Sequence, residues 1–417
     1  MKHLNELVRP FRALRPRAET AAAVIAPPYD VVSTAEAREI AADRPDSFLH
    51  VSRPEIDLPA GTNPRSRAVY ARGAENFARL SESGVLIRDT RPSFYIYRMS
   101  TGSHVQTGVA LTASVAAYDG NRVRKHELTM PEKEQDRVEH MTALNAQTGP
   151  VLCAHRSSER IRALVGESCE EAPLFEAEGP NRVKHTLWQV AEPEAVGALA
   201  DAFNGLESLY IADGHHRSAA ASRVAAERRI VRGGANTGAS HEFFLVVAFP
   251  HDELRILDCN RAVADLAGRT PDELLEAVGQ QFGVESSPSP CKPDEPGTFG
   301  MYLAGRWYRL RLRRAEPGGD PVAALDISRL RRRLIEPLLG VADPRTDKRI
   351  EFVGGVRGLE ALEARVDSGN AAVAFALYPT TMDQLMAVAD ADQLMPPKST
   401  WFEPKLADGL LSHVLEA

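Results

Sequence analysis

Residues Ser208-Leu-Tyr-Ile-Ala-Asp-Gly-His-His-Arg-Ser-Ala-Ala-Ala-Ser-Arg223 constrain the fold most, because a short apolar run stops at Asp213-Gly214 and turns directly into an alanine-rich helix. A strand that delivers its chain into a helix N-terminus aims unpaired backbone N–H groups, and the positive end of the helix dipole, at one point. Gly214 removes the side chain that would block a ligand there, and Arg217 supplies a forked cation for a phosphate or carboxylate. Asp213 fits equally well as the helix N-cap. His215 and His216 point about 100° apart on a helix, so both reach one ligand only from the turn before it.

Elsewhere extended segments alternate with amphipathic helices, which predicts a mixed α+β architecture. With 417 residues, 43% of them hydrophobic, the chain has material for two cores. The expected division is an N-terminal domain over 1–265, carrying the Asp213 box, and a C-terminal α+β domain over 266–417. Val24–Val32 is expected to begin as a strand halted by Pro27-Pro28, after which Ser33 and Glu36 form a capping box. Tyr70–Leu80 reads as a helix, and Ser93–Met99 with Val105–Ala117 as a hairpin or meander. Ser287–Gly297 holds four prolines and is expected to be an irregular loop inside the second domain. The arginine run at 329–333 reads as a solvated helix face, with anion binding as the alternative.

A formal charge of −7 argues against broad nucleic-acid binding. The four cysteines, 153, 169, 259 and 291, lack C-x-x-C spacing, so neither a structural zinc nor a disulfide framework is expected. The first ten residues lack the apolar core of a signal peptide. The longest apolar runs, Phe243–Phe249 and Ala371–Tyr378, fall short of a membrane span, so a cytoplasmic location is expected.

A second chemical cluster occupies Lys125–Leu144. His126-Glu127 precedes a helix that Pro131 would start, with Val138, Met141 and Leu144 as its apolar stripe. A carboxylate there could deprotonate an alcohol or coordinate a divalent ion, while Lys125 or Arg137 could hold phosphate oxygens. The competing reading is a charged surface helix with local ion pairs. No second histidine follows at the zinc-protease spacing. A third cluster, Met395-Pro-Pro-Lys-Ser-Thr-Trp-Phe-Glu-Pro-Lys405, offers Lys398, Ser399 and Thr400 but no glycine loop of the Walker A kind. A closing strand and loop accounts for it as well. Gly233-Gly234 and Gly354-Gly355 read as turns without chemistry.

A-P-P-Y-D-V-V-S at 26–33, S-F-L-H at 47–50, K-H-E at 125–127, A-D-G-H-H-R at 212–217 and M-P-P-K-S-T-W-F-E-P-K at 395–405 occur in that order. Together they resemble the bacterial and archaeal family called domain of unknown function 1015. The D-G-H-H-R segment is also similar to the phosphate-binding box of the ParB and sulfiredoxin superfamily, which includes free serine kinases and nucleotide-binding partition proteins. That likeness implies a ParB/sulfiredoxin-like core with large insertions and an added C-terminal α+β region. It implies nucleotide phosphates on Gly214, His215, His216 and Arg217, and a place beside the reacting groups for Asp213. A separate glutamate serves as base in those kinases; Glu127 or Glu132 would take that role here.

The leading expectation is therefore a small-molecule kinase, with free serine or a related hydroxy compound as acceptor and ATP, ADP or pyrophosphate as donor. Asp213 and Glu127 would divide Mg2+ binding and alcohol deprotonation between them, with His126 beside them and Arg137, Lys398, Ser399 and Thr400 as further donor contacts. Arg217→Ala is expected to weaken nucleotide binding with little loss of stability. Two alternatives stay open: a metal-dependent hydrolase built on His126, Glu127, Asp213, His215 and His216, and a nucleotide-binding switch without turnover. Neither a nucleic-acid nor a membrane partner is expected, and a homodimer is allowed.

Overall fold

The structure is a computed structural model that describes residues 6–179, 182–231, 238–313 and 319–416. Gly233-Gly234 lies outside the described residues. The chain is α+β and divides into two compact units, residues 1–254 with 404–417, and residues 255–403. The division thus falls at 254/255, where the sequence suggested 265/266, and the last residues return to the first unit. No helix among the described residues is long and apolar enough to cross a membrane.

The first unit is built on a nine-stranded sheet. In chain order its strands are β1 (Val8–Arg9), β2 (Phe94–Thr101), β3 (His104–Ser114), β4 (Val123–Arg124), β5 (Val151–His155), β6 (Phe175–Glu178), β7 (Lys184–Val190), β8 (Leu209–Asp213) and β9 (Phe243–Pro250). They lie in the order β4-β8-β5-β9-β3-β2-β7-β6, with β1 on β3. The apolar run at 243–249 is β9, an interior strand buried at every position, which suits an unbroken hydrophobic segment. The expected hairpin is β2–β3, but β3 stops at Ser114, whose side chain caps a short helix, Val115–Asp119.

Helix α1 (Pro131–Leu144) starts at its proline, and helix α2 (His215–Val231) leaves β8 through Gly214. Ala220, Ala221, Val224 and Ala225 bury the inner face of α2 with Ile211, Cys153 and Val246 of the sheet. Arg223 ties α2 to Glu134 and Gln135 of α1 at 3.2 and 2.6 Å. The Ser33–Glu36 capping box forms, and the expected helix at 70–80 spans Arg67–Glu82. Val24–Val32 does not begin as a strand. Ala21–Val24 is a helical turn, and Ala26 alone pairs, in a single bridge to Asp408, because Pro27 and Pro28 lack the N–H groups a ladder needs.

The second unit holds a six-stranded antiparallel sheet of β10 (Cys259–Val263), β11 (Phe282–Ser287), β12 (Thr298–Leu303), β13 (Arg306–Leu312), β14 (Ile350–Gly354) and β15 (Val373–Leu377). Their order is β11-β13-β12-β15-β10-β14. Because β10 sits between β15 and β14, the unit has to include the residues before 265. The proline-rich stretch forms the connection from β11 to β12. It crosses β12 at Gly300, where a Cβ would lie 2.1 Å from the Cys291 carbonyl oxygen. Of the arginine run, Arg329 pairs with Asp326, while Arg331 and Arg332 donate to the carbonyls of Ala342 and Ala323, a local structural use. Gly355 has room only for hydrogen, since a Cβ would meet the Asp258 carboxylate at 2.4 Å.

Candidate active site

Strand β8 carries a bulge between Ile211 and Asp213 opposite β5. A bulge re-aims the side chain that follows it, and here it sets Asp213 at the mouth of the turn into α2. Gly214 has φ +104°, a conformation that favours glycine. The space a Cβ would take is filled by the Arg217 guanidinium, 2.9 Å away at Nε. The glycine therefore clears room for an arginine of its own helix, which differs from the expected opening for a ligand.

Arg217 is buried, donates through Nη1 to the Pro150 carbonyl at 2.6 Å, and lies 3.8 Å from Asp213 Oδ2. Its replacement by alanine thus removes a structural group, contrary to the small stability loss expected from sequence. Asp213 Oδ2 also accepts from Lys405 Nζ at 3.0 Å. Burial pushes the Asp213 pKa up, but Lys405 and Arg217 prevail and hold it well below the usual carboxylate range.

Arg137 and Arg217 line one cavity together with Tyr29, His140, Gln147 and Asp408. Its volume is about 30 Å3, room for ordered water, so a larger ligand enters only as the lining side chains move. Arg137 stacks on the Tyr29 ring at 3.8 Å and forks onto Asp136 Oδ2 at 3.1 and 2.6 Å, while Tyr70 donates to the other oxygen of Asp136. Asp408 arrives on the returning C-terminal segment, fixed by its backbone pairing with Ala26. Its Oδ1 is buried without a hydrogen bond. Burial raises its pKa to about 7 against the opposing pull of Arg217 and Arg137, with Asp30 adding to the rise. Burial likewise raises Tyr29 to about 12.

A second group forms close enough to Asp213 for both of its histidines to feel that charge. Strand β4 runs parallel to β8, so the chain after Arg124 follows β8 toward the start of α2 and carries His126 to His215. Their rings meet edge to face at 4.5 Å, and the His126 N–H donates to His215 Nε2 at 3.4 Å. One ligand atom each from His126, Glu127 and His215 fall within 4.8 Å of one another. Burial lowers the His126 pKa to about 4, opposed by the backbone of Ile211, yet neither ring nitrogen makes a hydrogen bond of normal geometry. Burial and the neighbouring His126 hold His215 well below the ordinary histidine value. His216 turns away as the helical angle requires, and its Nε2 accepts from the Met130 N–H at 3.0 Å.

Of the residues singled out in the sequence, Arg137 and Arg217 line the cavity, Asp213 and Gly214 lie against Arg217, and His126, Glu127 and His215 form a separate cluster. Glu132 is 80% exposed at its side chain and paired with Arg65 at 2.7 Å, so it stands on the surface. Lys398, Ser399 and Thr400 belong to the second unit. There Ser399 donates to the Pro396 carbonyl at 2.6 Å, its own carbonyl accepts from Thr380, and that of Lys398 accepts from Arg261. Lys405, Asp408 and Tyr29 went unselected, although Tyr29 and Lys405 lie in the two proline motifs already quoted. The repeated tripeptide Ala-Asp-Gly at 212–214 and 407–409 was the available signal for Asp408.

Solved structures similar to the chain include a free serine kinase mutant in complex with AMP (15% identity, 71% of this chain and 87% of that one, TM-score 0.35). Another is a free serine kinase mutant in complex with ADP (16%, 72% and 88%, TM-score 0.34). A third is a conserved hypothetical protein from Pyrococcus furiosus (15%, 75% and 97%, TM-score 0.33). A search of curated proteins gave no match. Residues 8–328 match the family described as Protein of unknown function (DUF1015), and with more than half of its length matched, the chain belongs to that family.

Proposed function

We propose that this protein is a nucleotide-dependent phosphotransferase acting on a small hydroxy compound, with free serine as the first acceptor to test. The observation that carries the reading is the cavity where two mostly buried arginines meet a buried carboxyl group, Asp408, whose Oδ1 has no hydrogen bond. Phosphoryl transfer demands charge neutralisation and positioning, with little covalent work for the protein. Arg137 and Arg217, beside the N-terminus of α2, supply fixed positive charge for a phosphate chain. Asp408 is the group suited to take the proton of the acceptor hydroxyl. A carboxyl with a pKa of about 7 is substantially ionised at neutral pH and still basic enough to accept it. The freed alcohol oxygen then attacks the terminal phosphorus, and the bond to the remaining nucleotide breaks. Asp213, held ionised by Lys405 and Arg217, fixes the arginine that faces the phosphates.

The donor set does not suit a Mg2+ ion held by Asp213 and Glu127. Asp213 already engages two cations, and Glu127 groups with two imidazoles, whereas Mg2+ prefers oxygen ligands. No step here depends on a protein-held metal. The reading is tested by 31P NMR of the full chain with ATP, ADP or pyrophosphate and a panel of hydroxy compounds headed by L-serine. A phosphate monoester signal that grows with protein and is lost in Asp408→Asn supports it. Absence of any new phosphate ester with every donor and acceptor, in folded protein, overturns it.

A hydrolytic reading draws on one specific observation, the His126, Glu127 and His215 cluster, because an open metal position could activate water. What that cluster binds is a separate question from what the arginine cavity transfers.

A further inference from the structure

We propose that His126, Glu127 and His215 form a binding site for a divalent transition metal of the borderline class, such as Zn2+ or Co2+. Two nitrogen donors and one carboxylate oxygen match the preference of these ions, while Mg2+ and Ca2+ select oxygen. The ligand atoms lie within 4.8 Å of one another. Bonds of about 2.1 Å to a common centre place tetrahedral ligands roughly 3.4 Å apart, so small rotations of three side chains close the site.

A second observation points the same way. His126 is 1% exposed and neither ring nitrogen makes a hydrogen bond of normal geometry, although buried polar atoms in folded proteins are nearly always satisfied. A cation shared with His215 would satisfy one of them and convert the edge-to-face ring contact into common ligation. The hydrogen bond from the His126 backbone N–H to His215 Nε2 is long at 3.4 Å and is readily given up.

The backbone is arranged to build this group. Parallel pairing of β4 with β8 fixes the 125–127 segment against the start of α2, so the ligands come from two elements anchored in one sheet. Three protein ligands leave a fourth position open, which is the pattern of sites that act on a bound water or substrate. None of the three lines the arginine cavity, so the site stands independently of the phosphotransferase reading.

The test uses the full chain, stripped with a chelator and titrated with Co2+ in the absence of nucleotide. Visible absorption saturating at one equivalent per chain is expected, with at least a tenfold loss of affinity in His126→Gln and in Glu127→Gln. Glu127 is partly exposed, so its variant keeps the proposal falsifiable if His126→Gln does not fold. No saturable Co2+ binding by folded wild type, unchanged binding in a folded Glu127→Gln variant, or displacement of Co2+ by equimolar Mg2+ would each overturn the assignment. Because nucleotide is absent, failure here leaves the phosphotransferase test untouched.

Discussion

Ala212-Asp213-Gly214 and Ala407-Asp408-Gly409 are one tripeptide used in two turns, and both glycines adopt positive φ, +104° and +90°. Both aspartates feel the Arg217 charge, yet they end in opposite states. Asp213 keeps 29% of its side chain exposed and has Lys405 at 3.0 Å, so it stays ionised far into acid. Asp408 is 2% exposed, with no hydrogen bond to Oδ1, and its proton is held to about pH 7. Environment rather than residue type decides which of the two carboxylates is held ionised and which holds its proton.

The largest expected effect comes from removing the cation the two turns share. Arg217→Ala should cost about 3–5 kcal/mol of stability in urea unfolding, because a buried, paired charge and its bond to Pro150 are lost together. A loss below 1 kcal/mol would mean the turns are not held by this arginine.

Next comes a difference in pH dependence. Asp408 has a folded pKa raised above its unfolded value. Its contribution is fully present below about pH 4 and is lost as pH rises through about 7, by up to roughly 4 kcal/mol. Asp213 is shifted the other way, so its contribution is present above the ordinary carboxylate pKa and is lost as pH falls into acid. Asp408→Asn should therefore flatten the decline in stability between pH 4 and 7, and Asp213→Asn the decline below pH 4. Identical pH profiles for the two variants would dissolve the distinction.

The smallest difference separates the glycines. At Gly409 a Cβ would meet Phe48 Cβ at 2.7 Å, a clash near the backbone, whereas at Gly214 it meets the end of the flexible Arg217 side chain. Gly409→Ala should cost about 3 kcal/mol and Gly214→Ala about 1–2 kcal/mol, read by chemical denaturation. The Gly214 variant should also displace Arg217 and weaken anion binding.

Local signals in the sequence survive into the structure where the physics is local. Pro131, and Ser33 with Glu36, start helices through short-range bonding. The D-G-H-H-R box was legible as a strand-to-helix turn for the same reason. What could not be read is what the chain assembles over long separations. Lys405 lies 192 positions from Asp213, and no periodicity joins them. Conversely, Lys398, Ser399 and Thr400 looked chemical, but Ser399 is satisfied within its own turn. Val24–Val32 misleads because its apolar residues serve a packed corner with one bridge, and composition does not distinguish that from a ladder.

The most direct test of the central claim is calorimetric titration of the full chain with ATP, ADP and pyrophosphate, repeated on Arg137→Gln. The expected result is saturable binding of at least one phosphate donor to wild type, weakened at least about tenfold in the folded variant. Absence of binding to folded wild type, or equal affinity in Arg137→Gln, would contradict a phosphate site in this cavity.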